Sequence, residues 1–126
     1  MMIRRKFRTY IAAFLYGRGL MRFHQKRFEQ AARIFEKVCR LDPDQDRKDL
    51  TYSYLGRSLI RIGRRNEALK IMSEAYELFV LRIQSLKNEF ERKEFMDFIR
   101  EYIEALSGAG QTERVKEIEC TIGRLM

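Results

Sequence analysis

A chain of 126 residues is one domain's worth, enough for a modest core. Hydrophobic residues make up 45% and charged residues 35%, the balance of a folded protein with a heavily charged surface. The net charge of +8 is local: Arg4, Arg5, Lys6, Arg8, Arg18, Arg22, Lys26 and Arg27 precede the first acidic residue, Glu29, and the rest of the chain is neutral. A uniformly basic, general nucleic-acid binder is thereby excluded in favour of a basic amino-terminal arm on a neutral body.

Apolar residues recur at spacings of three and four, strand-like alternation is missing, and there is one proline. The pattern predicts six helices. The first, over 3–25, carries an apolar stripe of Ile3, Phe7, Tyr10, Ile11, Phe14 and Met21, flanked by the basic arm Arg4, Arg5, Lys6 and Arg8. Its apolar stretch 10–16 is far short of the roughly 18 consecutive apolar residues a membrane span needs. It has the outline of a signal peptide, and its Arg-rich, acid-free start that of a transit peptide. No small-residue cleavage site follows, however, so the segment is expected to stay in the fold.

The second helix is predicted over 28–41 and stops before Pro43, which cannot continue a helical hydrogen-bond ladder. The third is predicted over 47–62, with Asp49 as an N-cap, and the fourth as a long helix over 65–91. Helices over 93–107 and 112–125 follow, separated by Ser-Gly-Ala-Gly-Gln, with Thr112 capping the last. Cys39 and Cys120 both fall inside predicted helices. Two widely separated cysteines are no disulfide framework, so free thiols in a reducing, cytoplasmic compartment are expected.

Two of these helix pairs are copies of each other. Aligning Ala31 with Ala68 sets Gly19 opposite Gly56, Phe35 opposite Met72, Val38 opposite Ala75 and Leu41 opposite Leu78, a shift of 37 residues. Tyr52, Leu55, Gly56, Ala68 and Ala75, with Gly19, Ala31, Phe35 and Pro43, resemble the tetratricopeptide repeat. Arg18 replaces the consensus Leu of the first copy, which also has no Gly between its helices. A weaker third copy, with Ile99, Tyr102, Leu106, Gly110, Val115, Ile118 and Ile122, begins 47 residues after the second, and an extended fourth helix is expected to take up the surplus. The resemblance implies an all-α fold of antiparallel helix hairpins, a tetratricopeptide-like α-solenoid forming a single domain over 1–126. Its repeats would span about 12–45, 49–91 and 96–126. Three is also about the minimum for a stable stack of such units.

No catalytic constellation is present. His24 is the only histidine, and phosphate-loop, nucleophile-elbow and zinc-protease motifs are missing, so neither enzyme nor metal nor cofactor chemistry is expected. The acidic cluster Asp42, Asp44, Asp46 and Asp49 lacks the Gly and the bidentate Glu of a calcium loop.

What the resemblance implies instead is a concave groove lined by the first helix of each repeat. Its family positions fall on Ala13, Tyr16, Leu20, Phe23 and His24, on Leu50, Ser53, Arg57, Ile60 and Arg61, and on Asp97, Arg100 and Glu104. The expected function is a non-catalytic protein–protein interaction module, an adaptor, scaffold or inhibitor, whose basic and aromatic groove takes an acidic or amphipathic segment. Two alternatives stand beside it. One is a bacterial immunity protein or antitoxin neutralising a toxin; the other is a peripheral binder of anionic membrane or nucleic acid led by the basic first helix. A homodimer through Phe79, Val80, Ile83 and Leu86 is also open.

Overall fold

The computed structural model describes residues 2–86 and 88–125, and among them every regular element is helical. Six α-helices follow one another: α1 (Met2–His24), α2 (Phe28–Leu41), α3 (Lys48–Arg61), α4 (Arg65–Leu81), α5 (Glu89–Gly108) and α6 (Thr112–Leu125). They pair as three consecutive antiparallel hairpins, α1–α2, α3–α4 and α5–α6, stacked into a short helical solenoid.

The repeat is written into the backbone of the hairpin turns. In each, the residue that opens the second helix donates its N–H five residues back: Arg27 to Arg22, Arg64 to Leu59 and Gln111 to Leu106, at 2.9, 3.0 and 2.9 Å. The residue before it is left-handed in all three, Lys26 (φ 62°), Gly63 (φ 84°) and Gly110 (φ 76°). This is the helix stop in which a left-handed residue turns the chain so that orphan carbonyls are still bonded. The first hairpin makes the same turn without a glycine, Lys26 taking the left-handed conformation in its place.

Small residues set how closely the helices approach. A Cβ on Gly19 would lie 2.7 Å from Cε1 of Phe35, and one on Gly56 would overlap Cγ of Met72. Ala31, Phe35, Ala68 and Met72 are fully buried, so the equivalence read from sequence is an equivalence of packing. Two aromatic clusters fill the joints between hairpins. Tyr54 stacks on Phe35 (5.9 Å, 22°) and meets Phe23 edge-on (5.0 Å, 82°), while Phe79 contacts Phe95 and Phe98 at 5.2 and 5.3 Å.

Three local expectations are corrected. The fourth helix ends at Leu81 and does not run to residue 91. A single 3₁₀ turn, Ile83–Ser85, follows it, and Ile83 and Leu86 fold back into the core. The surplus length belongs mainly to α5, 20 residues against 14 in α3, which starts at Glu89 because the Asn88 side chain caps it by accepting from the Glu91 N–H at 2.8 Å. Asp49 is not an N-cap; it lies inside α3, 3% exposed, where its carboxylate accepts from the Leu50 N–H and pairs with Nε of Arg82 at 2.5 Å. That pair ties the start of α3 to the end of α4. Finally, Phe79, Ile83 and Leu86 are core residues and Val80 packs against them, so they form no dimer face.

Candidate functional site

The first helices of the hairpins, α1, α3 and α5, lie side by side along one face of the stack, and the expected groove residues divide into two groups there. Around the middle of α3 the face is closed. Phe23 is 7% exposed, Ser53 1% and Arg57 9%, so these three are interior residues rather than an accessible lining. Phe23 is drawn in by the aromatic joint between the first two hairpins, and the Oγ of Ser53 is buried without a hydrogen-bond partner.

Arg57 and Arg61 are already committed. Both pair with Glu101 of α5, Arg57 through Nε and Arg61 through a terminal guanidinium nitrogen at 2.8 Å. Their guanidinium planes lie over rings as well, Arg57 above Phe23 and Tyr54 at 4.9 and 5.1 Å, and Arg61 above Phe28 at 4.9 Å. The Tyr54 hydroxyl donates to Glu94 at 2.5 Å, a second α3–α5 link. Burial first, and then this bond, push the Tyr54 phenol above its ordinary range. The expected arginine lining is therefore a clamp between the second and third hairpins, in which two guanidiniums share the one carboxylate of Glu101. His24 is exposed with its ring near Tyr54, and Arg100 is exposed and pairs with Asp97 one turn away at 3.5 Å.

Towards the other end of the same face the site is open. A cavity of about 390 Å³ lies between α1 and the start of α3, with Ala13, Tyr16 and Leu20 on one wall, Val38 and Leu50 beneath, and Phe90 of α5 at the lip. Its wall is almost entirely apolar, and Phe90 is 65% exposed. The polar rim has two signs. Asp42, Asp46 and Arg47 border it on the α2–α3 link, whereas Thr9 joins it on the α1 side to a second hollow flanked by Arg5 and Lys6. The link is held in shape by Thr51, whose hydroxyl donates to Gln45 at 2.6 Å, while the Gln45 amide donates to the Asp42 carbonyl at 3.0 Å. Desolvation, reinforced by Glu94, raises the Tyr16 phenol from 10.0 to about 12, so it remains a neutral donor at physiological pH.

The structure thus brings Tyr16 and Leu20 together in an open pocket and withdraws Phe23, Ser53 and Arg57 from it. Ala13 and Leu50, both expected groove positions, line it too. Sequence reasoning missed Val38 as part of its floor and Phe90 as its lip. Val38 had a signal as a repeated apolar residue. Phe90 had none, because its place depends on where α5 begins. No helix among the described residues is long and apolar enough to cross a membrane.

Residues 12–45 match the family model described as tetratricopeptide repeat, a span that covers the pocket wall on α1 and the whole of α2. No curated protein and no solved structure matches the chain. The first hairpin is thus similar to a tetratricopeptide repeat, and the two hairpins that follow are closed by the same turn.

Proposed function

We propose that the protein is a non-catalytic adaptor that holds an amphipathic segment of another protein, seating one apolar side chain in the pocket between α1 and α3. Tetratricopeptide repeats are protein-interaction modules, and the observation that carries the reading here is the pocket itself: open, apolar and shaped by three hairpins at once. A volume of about 390 Å³ suits a Leu-, Met- or Phe-sized anchor with adjoining backbone. The split rim orients the segment, with acidic residues facing Arg5 and Lys6 and a basic one facing Asp42 and Asp46. Two free cysteines suit a reducing compartment such as the cytoplasm.

The test is selection from a displayed random-peptide library against the intact chain and against Ala13→Trp. Ala13 is exposed and lines the pocket, so the exchange fills the cavity and leaves the core alone. Enriched peptides should share an apolar anchor beside acidic residues, and Ala13→Trp should weaken them by about tenfold or more, the loss of one buried anchor. Peptides bound equally by both proteins would overturn the reading. Reversing the charges of Arg57 and Arg61 is the wrong probe, since it breaks the clamp on Glu101.

A further inference from the structure

α1 is apolar on two faces, and the fold uses only one. Ala12, Gly19 and Phe23 face inward, and Tyr16 and Leu20 pack beside them. Roughly opposite, at 3.6 residues per turn, Phe7, Tyr10, Phe14 and Met21 form a continuous ridge at spacings of three, four and seven. Their exposures are 64, 72, 66 and 56%, half of all the exposed large apolar residues of the described chain. At 23 residues α1 is nine longer than α2, so its basic start projects about 13 Å beyond its partner helix.

We propose that this ridge docks the protein onto an anionic lipid surface, α1 lying in the plane of the headgroups. Charge complementarity selects the occupant. The exposed Arg4 and Arg18 border the ridge on one side, with Arg8 further round the same flank, Lys6 borders it on the other, and α1 contains no acidic residue. Aromatic side chains immersed at the acyl boundary, with cations at headgroup level on both flanks, form the binding face of an interfacial helix. A second copy of the chain is disfavoured by the same charges, because two such helices face to face would set unbalanced cations against each other. The chain's longest helix is too polar to span, so the attachment is peripheral. The pocket of Ala13, Tyr16 and Leu20 opens on the adjoining face of α1, with Lys6 and Thr9 between the two. The inference rests on the ridge and its flanking cations, whatever the pocket binds.

The experiment is sedimentation of the full chain with vesicles of phosphatidylcholine alone, and with vesicles of phosphatidylcholine and phosphatidylserine in equal parts. Wild type should pellet with the anionic vesicles only, and less as salt rises. Phe7→Gln/Phe14→Gln and Arg4→Gln/Arg8→Gln/Arg18→Gln change solvent-exposed positions, the first pair without altering charge, and each should lower partitioning by about tenfold or more. Should either lose helicity by circular dichroism, the single exchanges Tyr10→Gln and Met21→Gln carry the same test with smaller losses. No pelleting at low salt overturns the proposal. So does undiminished binding by Phe7→Gln/Phe14→Gln, which would leave charge alone as the cause and extend to RNA. A wild-type dimer in sedimentation equilibrium that the same variant dissolves would assign the ridge to a second copy instead.

Discussion

Gly17 and Gly19 sit two residues apart in one helix, and the structure gives them opposite roles. A methyl group at residue 17 meets nothing within 4 Å, whereas at residue 19 it meets the ring of Phe35, itself fully buried and held between Tyr16 and Tyr54. Gly17→Ala should therefore stabilise the fold by about 0.5–1 kcal/mol, through helix propensity and a less flexible unfolded chain. Gly19→Ala should cost about 1–3 kcal/mol through overpacking. Urea titration of both variants at neutral pH reads the difference. Periodicity made the second glycine legible, since it recurs as Gly56; the first belongs to no repeat and carries no packing role.

Two half-buried acids contribute an alkaline limit to the molecule. Desolvation raises the Cys39 thiol from 9.0 to about 11 and the Tyr16 phenol from 10.0 to about 12. In the unfolded chain both ionise at their ordinary values, so above about pH 9 the unfolded state releases protons first. The stability they contribute is complete below pH 9 and is lost as pH rises through 11 and 12. Urea midpoints measured from pH 8 to 12 should fall steadily over that window, and the fall should be shallower in Cys39→Ala/Tyr16→Phe. An equally steep fall in the double variant would place the alkaline transition elsewhere.

Between elements, the most consequential contact is the cluster of Arg57, Arg61 and Glu101. The Arg57 side chain is 11% exposed and that of Glu101 16%, so removing the Glu101 charge strands Arg57 in a poorly solvated place, while Arg61, 37% exposed, keeps its access to water. Glu101→Gln should cost about 2 kcal/mol, while Arg57→Met/Glu101→Leu should recover most of that loss by replacing a desolvated pair with packed apolar groups. Chemical denaturation of the three proteins checks it. The sequence placed Arg57 and Arg61 on the correct face of α3, but what they meet depends on the register of α5 against α3. That register follows from where α5 begins. The start was in fact written locally, as Asn88 with Glu91 three residues later. The end of α4 was not: nothing between Leu81 and Leu86 breaks a helix, and the chain turns because Ile83 and Leu86 bury and Arg82 reaches Asp49.

On the scale of the whole molecule, burial is graded along the stack. α3 has ten buried residues, Asp49, Thr51, Ser53 and Ser58 among them, because it is flanked by a hairpin on either side. α6 has one, Ile118. Local opening should follow that gradient, as expected for stacked repeats that lean only on their neighbours. Amide hydrogen exchange should be slowest in α3 and fastest, among helix interiors, in α6. Uniform protection across the two would show a single cooperative unit.

The helical class, the three hairpins and the small-residue contacts at Gly19 and Gly56 were determined by sequence alone, because each rests on local periodicity repeated along the chain. Tertiary structure decided everything that depends on two elements meeting. It turned Phe23, Ser53 and Arg57 inward, engaged the expected arginine lining with Glu101, and left open the apolar pocket of Tyr16, Leu20 and Leu50 beneath Phe90. It also decided which of the two apolar faces of α1 is core. A single helix pattern shows that both faces are apolar; only the position of α2 and α3 determines which one is left for a partner.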